Sequence, residues 1–433
     1  MARHPAYLAS RLRAVAGRYG VTTRKAKERV RRCVRRLEQR GVRPTFATPG
    51  RIVDQDPSFF RELRDAGVEL AIHGYDHADF RRLTREQAAW QFEQALAAYA
   101  RHGVPCVGFR CPYLSCTADV RAVLPVGAFT YSSNRAVAWP AAAGDGGGAV
   151  FEQLARNYRA APCAEVVAAP AAEDGLIEIP VSVPDDLQLC DGLGLGEEGL
   201  RRQWLLTLQE TQRRGELFAP LFHPEAYDLL ETAVDGLLDA VRAQRPAVWA
   251  TQLRDVAAWW RERAAFGVRT IAEDGALVLE LDCSERATVL VSRWRRPAAL
   301  RPWDGPWSIL DDRRIRLEGT TRPFVATAGV DAATVAFLVE QGYVVDADRD
   351  AECSVALTSH DVQRLGSRRA LLEHVERAPA PLVRFGRWPS DARSAFCLAG
   401  DLDALSLRDY ALRLHPRVRA RSGLTVGARR RAA

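Results

Sequence analysis

The chain has 433 residues, 47% of them apolar and ten of them tryptophan, which suffices for one large packed domain with one or two smaller ones and argues against disorder. No run approaches the ~18 apolar residues that would span a bilayer, and Arg3, Arg11 and Arg13 stand where an export signal needs an apolar stretch, so the expected setting is cytoplasmic. The net charge of +7 is carried mainly by arginine; with no supporting motif and no interleaved aromatics, it gives no reason to expect nucleic acid as a partner.

In chain order, the first element is a helix over Thr23 to Arg40. Ala26, Val30, Cys33, Val34 and Leu37 form one apolar stripe and leave its Lys and Arg residues as a solvated face, or as a face for an anionic membrane surface or a phosphorylated substrate. Val42–Thr48 reads as a strand, Pro57–Ala66 as a helix with proline in its first turn, and Val68–Ile72 as a short buried strand. Thr84 to Gln87 form a capping box that opens a helix with Phe92, Leu96 and Tyr99 on one face. Further strands are expected at Cys106–Phe109, Phe129–Ser132, Leu176–Val181, Leu217–Phe222 and Val248–Thr251. Strands alternating with helices imply a parallel sheet, and seven can roll into a barrel with its chemistry at the carboxyl ends. The Ala/Gly-rich stretch Ala141–Gly148 is a flexible loop without the Lys-Ser/Thr of a phosphate-binding loop.

After Phe266 the pattern changes. Ala276–Leu281 and Ala287–Trp294 alternate as two antiparallel strands that start a small β module. The expected organisation is an α/β barrel domain over 1–265, the β module over 266–320, an α/β segment over 321–413 that completes the barrel if the domain is permuted, and a basic tail over 414–433. Within the α/β segment, strands are expected near Phe324–Thr327, Val344–Asp346, Ser354–Thr358 and Ser394–Gly400. Nine cysteines are an odd number without a spacing framework, which suits a reduced compartment. Cys106, Cys111 and Cys116 match no common zinc spacing and read as small buried hydrophobes.

The chemistry starts at His73 and His77. Two imidazoles leaving one strand end on a short turn can close on a single divalent ion, since neutral imidazole is a metal ligand near pH 7. Two further segments follow: Gly108-Phe-Arg110-Cys-Pro112-Tyr113, and Leu221-Phe222-His223-Pro224 at the end of an apolar strand. In their order, with Thr45-Phe46 and with Ile179 to Asp186 before the last histidine, these segments resemble the motifs of the polysaccharide deacetylases (carbohydrate esterase family 4). The resemblance spans roughly residues 20 to 262.

That resemblance implies a distorted (β/α) barrel that removes N-acetyl groups from an N-acetylated sugar, polymeric or carried on a lipid- or nucleotide-linked precursor. It implies a divalent ion, zinc by preference, on His73 and His77, which would activate water and polarise the carbonyl. It further implies Arg110 orienting a carboxylate base, the backbone N–H of Tyr113 holding the oxyanion, and His223 protonating the amine with Asp185 or Asp186 steadying it. Two rivals stand beside this reading: a non-catalytic relative that binds a glycan or a partner protein, and a hydrolase of another carbon–nitrogen bond.

One motif is out of place. The family's first strand, ending in two aspartates that supply the base and third metal ligand, is expected before Thr45, yet Gly17 to Thr23 hold no acidic residue and none precedes Glu28. Two histidines leave zinc short of the three protein ligands usual in catalytic sites. Ser394 to Asp403, an apolar strand finishing in Asp401-Leu402-Asp403, is a variant of the missing motif. In a circularly permuted domain it would be the barrel's first strand, with Asp401 as base and Asp403 as third ligand. The alternatives are that both aspartates cap the following helix, Leu407–Leu414, or that His360-Asp361 after another short strand is the substitute.

Overall fold

The computed structural model describes residues 15, 17–140, 156, 158–274, 276–294, 300–317, 321–348 and 351–412. The Ala141–Gly148 loop and the basic tail fall outside them.

A mixed α/β architecture is organised by one curled sheet. Its strands are β1 (Thr45–Thr48), β2 (Glu69–Ile72), β3 (Gly108–Phe109), β4 (Tyr131–Ser132), β5 (Ala171–Glu173), β6 (Leu176–Glu178), β7 (Leu221–Phe222) and β8 (Ala399–Asp401), in the spatial order β7-β8-β1-β2-β3-β4-β6-β5. All neighbours are parallel except β5 and β6. The chain after β6 continues through Val181–Val183 and meets the chain before β7 in a single bridge, Ser182 to Pro220, which joins the two sides of the curl. Starting from β8, the ring therefore runs β8, β1, β2, β3, β4, β6, β7 and returns to β8. Around this ring β8 is the one member out of chain order, while β5 lies outside it as the edge partner of β6.

Alternation explains why this sheet buries both faces. Phe46, Ile72, Phe109, Phe222 and Leu398 point to the helices and pack with Val30 and Leu37 of the Arg24–Gln39 helix, Phe60, Phe92, Trp204 and Leu237. Small residues alternate with them: Ala47, Ala71, Cys397 and Ala399 face inward, where Leu253, Val256 and Trp260 of the Leu253–Arg263 helix fill the space. That helix is tied to the strand starts, because Gln252 Nε2 donates to the carbonyls of Pro44 and Gly67, both at 2.9 Å. Gly400 lets β8 pass tightly beside β7: a Cβ there would stand 3.0 Å from the Phe222 ring and 3.1 Å from Pro224 Cδ.

The Thr84–Gln87 capping box forms as expected, and the apolar stripe of the Arg24–Gln39 helix is buried as expected. Its basic face is largely engaged. Arg29, Arg31 and Arg36 pair with Asp228, Glu62 and Asp235 at 2.5, 2.6 and 2.6 Å. Two expectations need correction. Val248–Ala250 is a strand but takes no seat in the main sheet; it pairs only with Ser394–Phe396, beside the Leu217–Phe218 strand. Ala276–Asp282 and Val289–Ser292 do not pair with each other. The first lies between Gly267–Glu273 and Arg314–Arg316, and the second between Trp307–Leu310 and Leu382–Phe385. Alternation identifies a strand with one buried face, but the partner is set by long-range packing.

Candidate active site

Most of the site stands at the carboxyl ends of strands of the curled sheet, where a parallel α/β sheet collects its loops, while Asp186 comes after the separate strand Val181–Val183. His73 leaves β2, Arg110 leaves β3, Ser133 leaves β4, His223 leaves β7, and Asp401 ends β8 with Asp403 two residues on. The His73–His77 turn is held from outside: Gln91 Oε1 accepts the N–H groups of Tyr75 (2.8 Å) and Asp76 (2.9 Å). Gly74 has φ +69°, a left-handed conformation that glycine adopts at little cost, and His77 itself has φ +54°. The turn thus brings the two imidazoles to 4.9 Å between ring centroids.

The C-terminal aspartates stand against these histidines. His77 Nε2 is 3.0 Å from Asp403 Oδ1, and His73 Nε2 is 3.6 Å from both Asp403 Oδ1 and Asp401 Oδ2. Arg110, 2% exposed, donates through Nη1 to Asp401 Oδ1 at 2.8 Å, through Nε to the Ser133 carbonyl at 3.1 Å and through Nη2 to Ser133 Oγ at 3.0 Å. A buried guanidinium fixed at three points can only present its carboxylate partner in one pose. Tyr113 sits in the Pro112–Leu114 turn with φ +59°, half exposed, its ring 5.2 Å from that of His77.

His223 completes the ring. Its Nδ1 donates to Asp186 Oδ1 at 2.7 Å and its backbone N–H to Asp186 Oδ2 at 2.8 Å, leaving Nε2 4.0 Å from Asp403 Oδ2. Burial, the largest influence, would lower the imidazole pKa, but the charge and hydrogen bond of Asp186 together with the charge of Asp403 hold it raised, at about 9. The partner is therefore Asp186 and not Asp185, whose oxygens accept from Gln188 N–H (2.6 Å) and Tyr158 O–H (2.7 Å).

The donor set fits a divalent cation. His73 Nδ1 lies 2.8 Å from the Arg110 carbonyl, which can only accept, so Nδ1 carries the hydrogen. Burial, the leading influence, lowers the pKa of His73, so the ring is neutral and Nε2 offers a lone pair. That atom is buried without a hydrogen bond and faces two carboxylates. Ligating atoms of His73, His77 and Asp403 lie within 4.8 Å of one another, the two-imidazole, one-carboxylate set of catalytic zinc sites. The contact from His73 to a backbone carbonyl is the outer-shell bond that fixes a metal-ligating tautomer.

The other candidates are elsewhere. Asp361 forms an exposed capping box with Thr358 at the start of the Ser359–Leu365 helix. The helix Leu407–Leu412 is served by Ser406, whose Oγ accepts from Asp409 N–H at 3.2 Å, and not by Asp401 or Asp403. Cys106, Cys111 and Cys116 are free thiols at or near the core, as expected. Sequence reasoning missed Glu225 and Arg18. Glu225 is buried two residues after His223 and accepts from Arg18 Nη2 (2.6 Å) and Tyr19 O–H (2.9 Å). Arg18 lies in the Gly17–Thr23 stretch where the resemblance places aspartates, and a basic residue there carries no signal.

Fold and site together define an α/β protein with a His-His-Asp cluster, a carboxylate–arginine pair and a carboxylate–histidine pair at one sheet edge. The polysaccharide deacetylase family model matches residues 20–129, the segment that carries His73, His77, Arg110 and Tyr113. His223 and the 394–403 strand lie outside the matched segment. No curated protein matches the chain. Among solved structures, the chain is similar to a Mycobacterium smegmatis protein assigned as a polysaccharide deacetylase (21% identity, 55% of this chain and 77% of the other, TM-score 0.43). It is also similar to a family 4 carbohydrate esterase from Streptomyces lividans in complex with acetate (19%, 50% and 81%, TM-score 0.30). A third likeness is to a family 4 pseudoenzyme from Bacillus anthracis (15%, 54% and 61%, TM-score 0.32).

Proposed function

We propose that this chain is a metal-dependent hydrolase that removes N-acetyl groups from an N-acetylated sugar, with a circularly permuted site in which the C-terminal strand supplies the acidic pair. The observation that carries the reading is the approach of Asp403 Oδ1 to His77 Nε2 (3.0 Å) while its neighbour Asp401 is paired with Arg110 (2.8 Å). The strand order supports permutation: read from β8, neighbours around the sheet follow chain order, as right-handed strand–helix–strand connections favour.

A divalent cation, zinc by preference, held by His73, His77 and Asp403 would polarise the amide carbonyl and make water acidic enough to attack. Asp401, oriented by Arg110, takes the proton from the attacking water. Tyr113 offers its backbone N–H to the oxygen that gains charge as the carbonyl carbon becomes tetrahedral. His223, its Nδ1–H fixed on Asp186, gives the Nε2 proton to the nitrogen as the carbon–nitrogen bond breaks. Acetate and the free amine leave, the proton on Asp401 passes to solvent and His223 Nε2 takes one back, which restores both groups. A sugar precursor inside the cell, lipid- or nucleotide-linked, is the substrate class that suits a cytoplasmic setting.

Elemental analysis of the purified chain beside Asp403→Ala and Asp401→Asn tests this directly, with acetate release from an N-acetylglucosamine oligomer and from a nucleotide-linked N-acetylhexosamine as second readout. The expected result is about one zinc or similar ion in the wild type, its loss in Asp403→Ala, and metal without turnover in Asp401→Asn. A wild type that takes up no metal after reconstitution would overturn the reading and favour a glycan-binding or protein-binding relative. Metal and turnover retained in Asp403→Ala would remove the C-terminal strand from the site. Turnover confined to another class of amide would leave a different carbon–nitrogen hydrolase.

A further inference from the structure

Away from the strand-end site, a cavity of about 300 Å³ opens where the end of the Glu197–Arg214 helix, the strand Trp307–Leu310 and the helix Arg368–Arg377 converge, lined by seven arginines against three carboxylates. Two of these arginines, Arg384 on the strand Leu382–Phe385 and Arg387 just after it, are only 6% and 7% exposed. Arg263, equally buried, lies close by; burial first, and then repulsion from Arg387 and Arg384, lowers its pKa to about 9. Like charges withdrawn from water oppose one another unless a counter-charge enters.

Five of the lining arginines are ion-paired, Arg213 and Arg214 with Glu210, Arg369 with Glu216, Arg377 with Glu373 and Arg393 with Asp304, and the two buried ones, Arg384 and Arg387, are left less well compensated. Arg387 donates to the Gln341 side-chain carbonyl at 2.6 Å and to the backbone carbonyls of Arg214 and Gly215 at 3.1 and 3.3 Å, all of them neutral. Among the described residues, Arg384 reaches a carboxylate only at Glu376, 3.4 Å away and partly exposed, and its buried Nε has no hydrogen bond. The Arg384 guanidinium instead stacks over Trp307 (4.5 Å) and Tyr343 (5.4 Å). Stacking steadies a cation while leaving its N–H donors for another acceptor.

Arginines converging from several elements match an anion whose acceptor oxygens point in several directions. A carboxylate has two oxygens in one plane, which one guanidinium fork satisfies; a phosphate has more and serves several forks. The volume is at the lower end for small-molecule sites. We propose that this cavity binds a small phosphorylated ligand, anchored by Arg384 and Arg387, with Arg213 and Arg377 at its mouth. Binding here is independent of the deacetylase reading.

Titration calorimetry on the full chain with inorganic pyrophosphate is the test, followed by a hexosamine phosphate and a nucleoside diphosphate to separate the two sources of such a group. The wild type and His73→Ala are expected to bind pyrophosphate alike, with affinity that falls as salt rises. Arg384→Met and Arg387→Met should weaken binding about tenfold or more, the loss expected when charged hydrogen bonds are removed. If the buried variants fail to fold, the surface double variant Arg213→Ala/Arg377→Ala, predicted to weaken binding several-fold, still decides the matter. Absence of binding by the wild type, equal affinity in every foldable arginine variant, or loss of binding in His73→Ala would overturn the proposal.

Discussion

Asp185 and Asp186 are chain neighbours, both about 1% exposed, in different electrostatic states. Asp186 is paired with His223 through two hydrogen bonds. Asp185 is pushed up to about 6 by burial first and then by the charge of Asp186, against the opposing pull of His223, Tyr158 and Gln188. Its folded pKa lies above its unfolded value of about 3.9, so the folded state holds the proton more tightly. The resulting stability is fully present below pH ~4 and is lost as pH rises through about 6, by on the order of 3 kcal/mol. Asp185→Asn keeps the acceptor for Gln188 but cannot ionise. Urea midpoints of wild type and Asp185→Asn between pH 4 and 7 should therefore diverge, the wild type falling relative to the variant; a difference that stays constant with pH would contradict this. At this scale the sequence was informative where spacing carries chemistry. His73, His77, Arg110, His223, Asp401 and Asp403 could all be picked out, because each follows an apolar run and strand ends put such residues on one edge. Choosing between Asp185 and Asp186 was beyond it, since adjacent residues differ only in which way the backbone turns them. Arg18 and Glu225, 207 positions apart, meet only through the fold.

Strand β8 is the element on which the site depends, and its sequence shows how it fits. Leu398 packs outward, Ala399 inward, and Gly400 clears β7. Valine at 400 would drive a branched side chain against Phe222 and Pro224, forcing β7 and β8 apart at the level of Asp401 and His223. Overpacking of this kind costs ~1–3 kcal/mol. Gly400→Val should lower the urea midpoint by that amount and weaken metal uptake, while Gly400→Ala, needing only a few tenths of an ångström from its neighbours, should lose less; equal stability of all three would mean that the contact is not tight. Element-level reading located most strands, because alternation and flanking turns are local signals. It misplaced Val248–Ala250 and paired Ala276–Asp282 with the wrong partner, because order within a sheet is decided by long-range packing that periodicity does not encode.

At the scale of the whole molecule, the order of strands in space and in the chain disagrees at β8, and otherwise only in the local hairpin of β5 and β6. The ends that a conventional order would join are close together. Leu407 N–H donates to the Gly20 carbonyl at 2.9 Å, and the Tyr19 and Tyr410 rings are 5.5 Å apart. At the opposite place, the exposed residues Ala264 and Ala265 lead from the Leu253–Arg263 helix to the half-buried Phe266 and the Gly267–Glu273 strand, where few backbone bonds would be broken by new termini. A chain opened between Ala265 and Phe266, with Leu412 joined to Gly17 by a short flexible linker, keeps every strand neighbour and places β8 ahead of β1. If strand order in space governs this fold, that rearranged protein should bind metal in the same ratio as the wild type. Its thermal midpoint should fall by no more than a few degrees, because closing a short loop changes the entropy of the unfolded chain only modestly. The control is residues 1–265 alone. Lacking β8, that fragment leaves facing edges of β7 and β1 unpaired at the centre of the sheet and should aggregate or remain unfolded. A fragment that folds and binds metal, or a rearranged chain that cannot fold, would show that β8 is not the strand that completes the sheet.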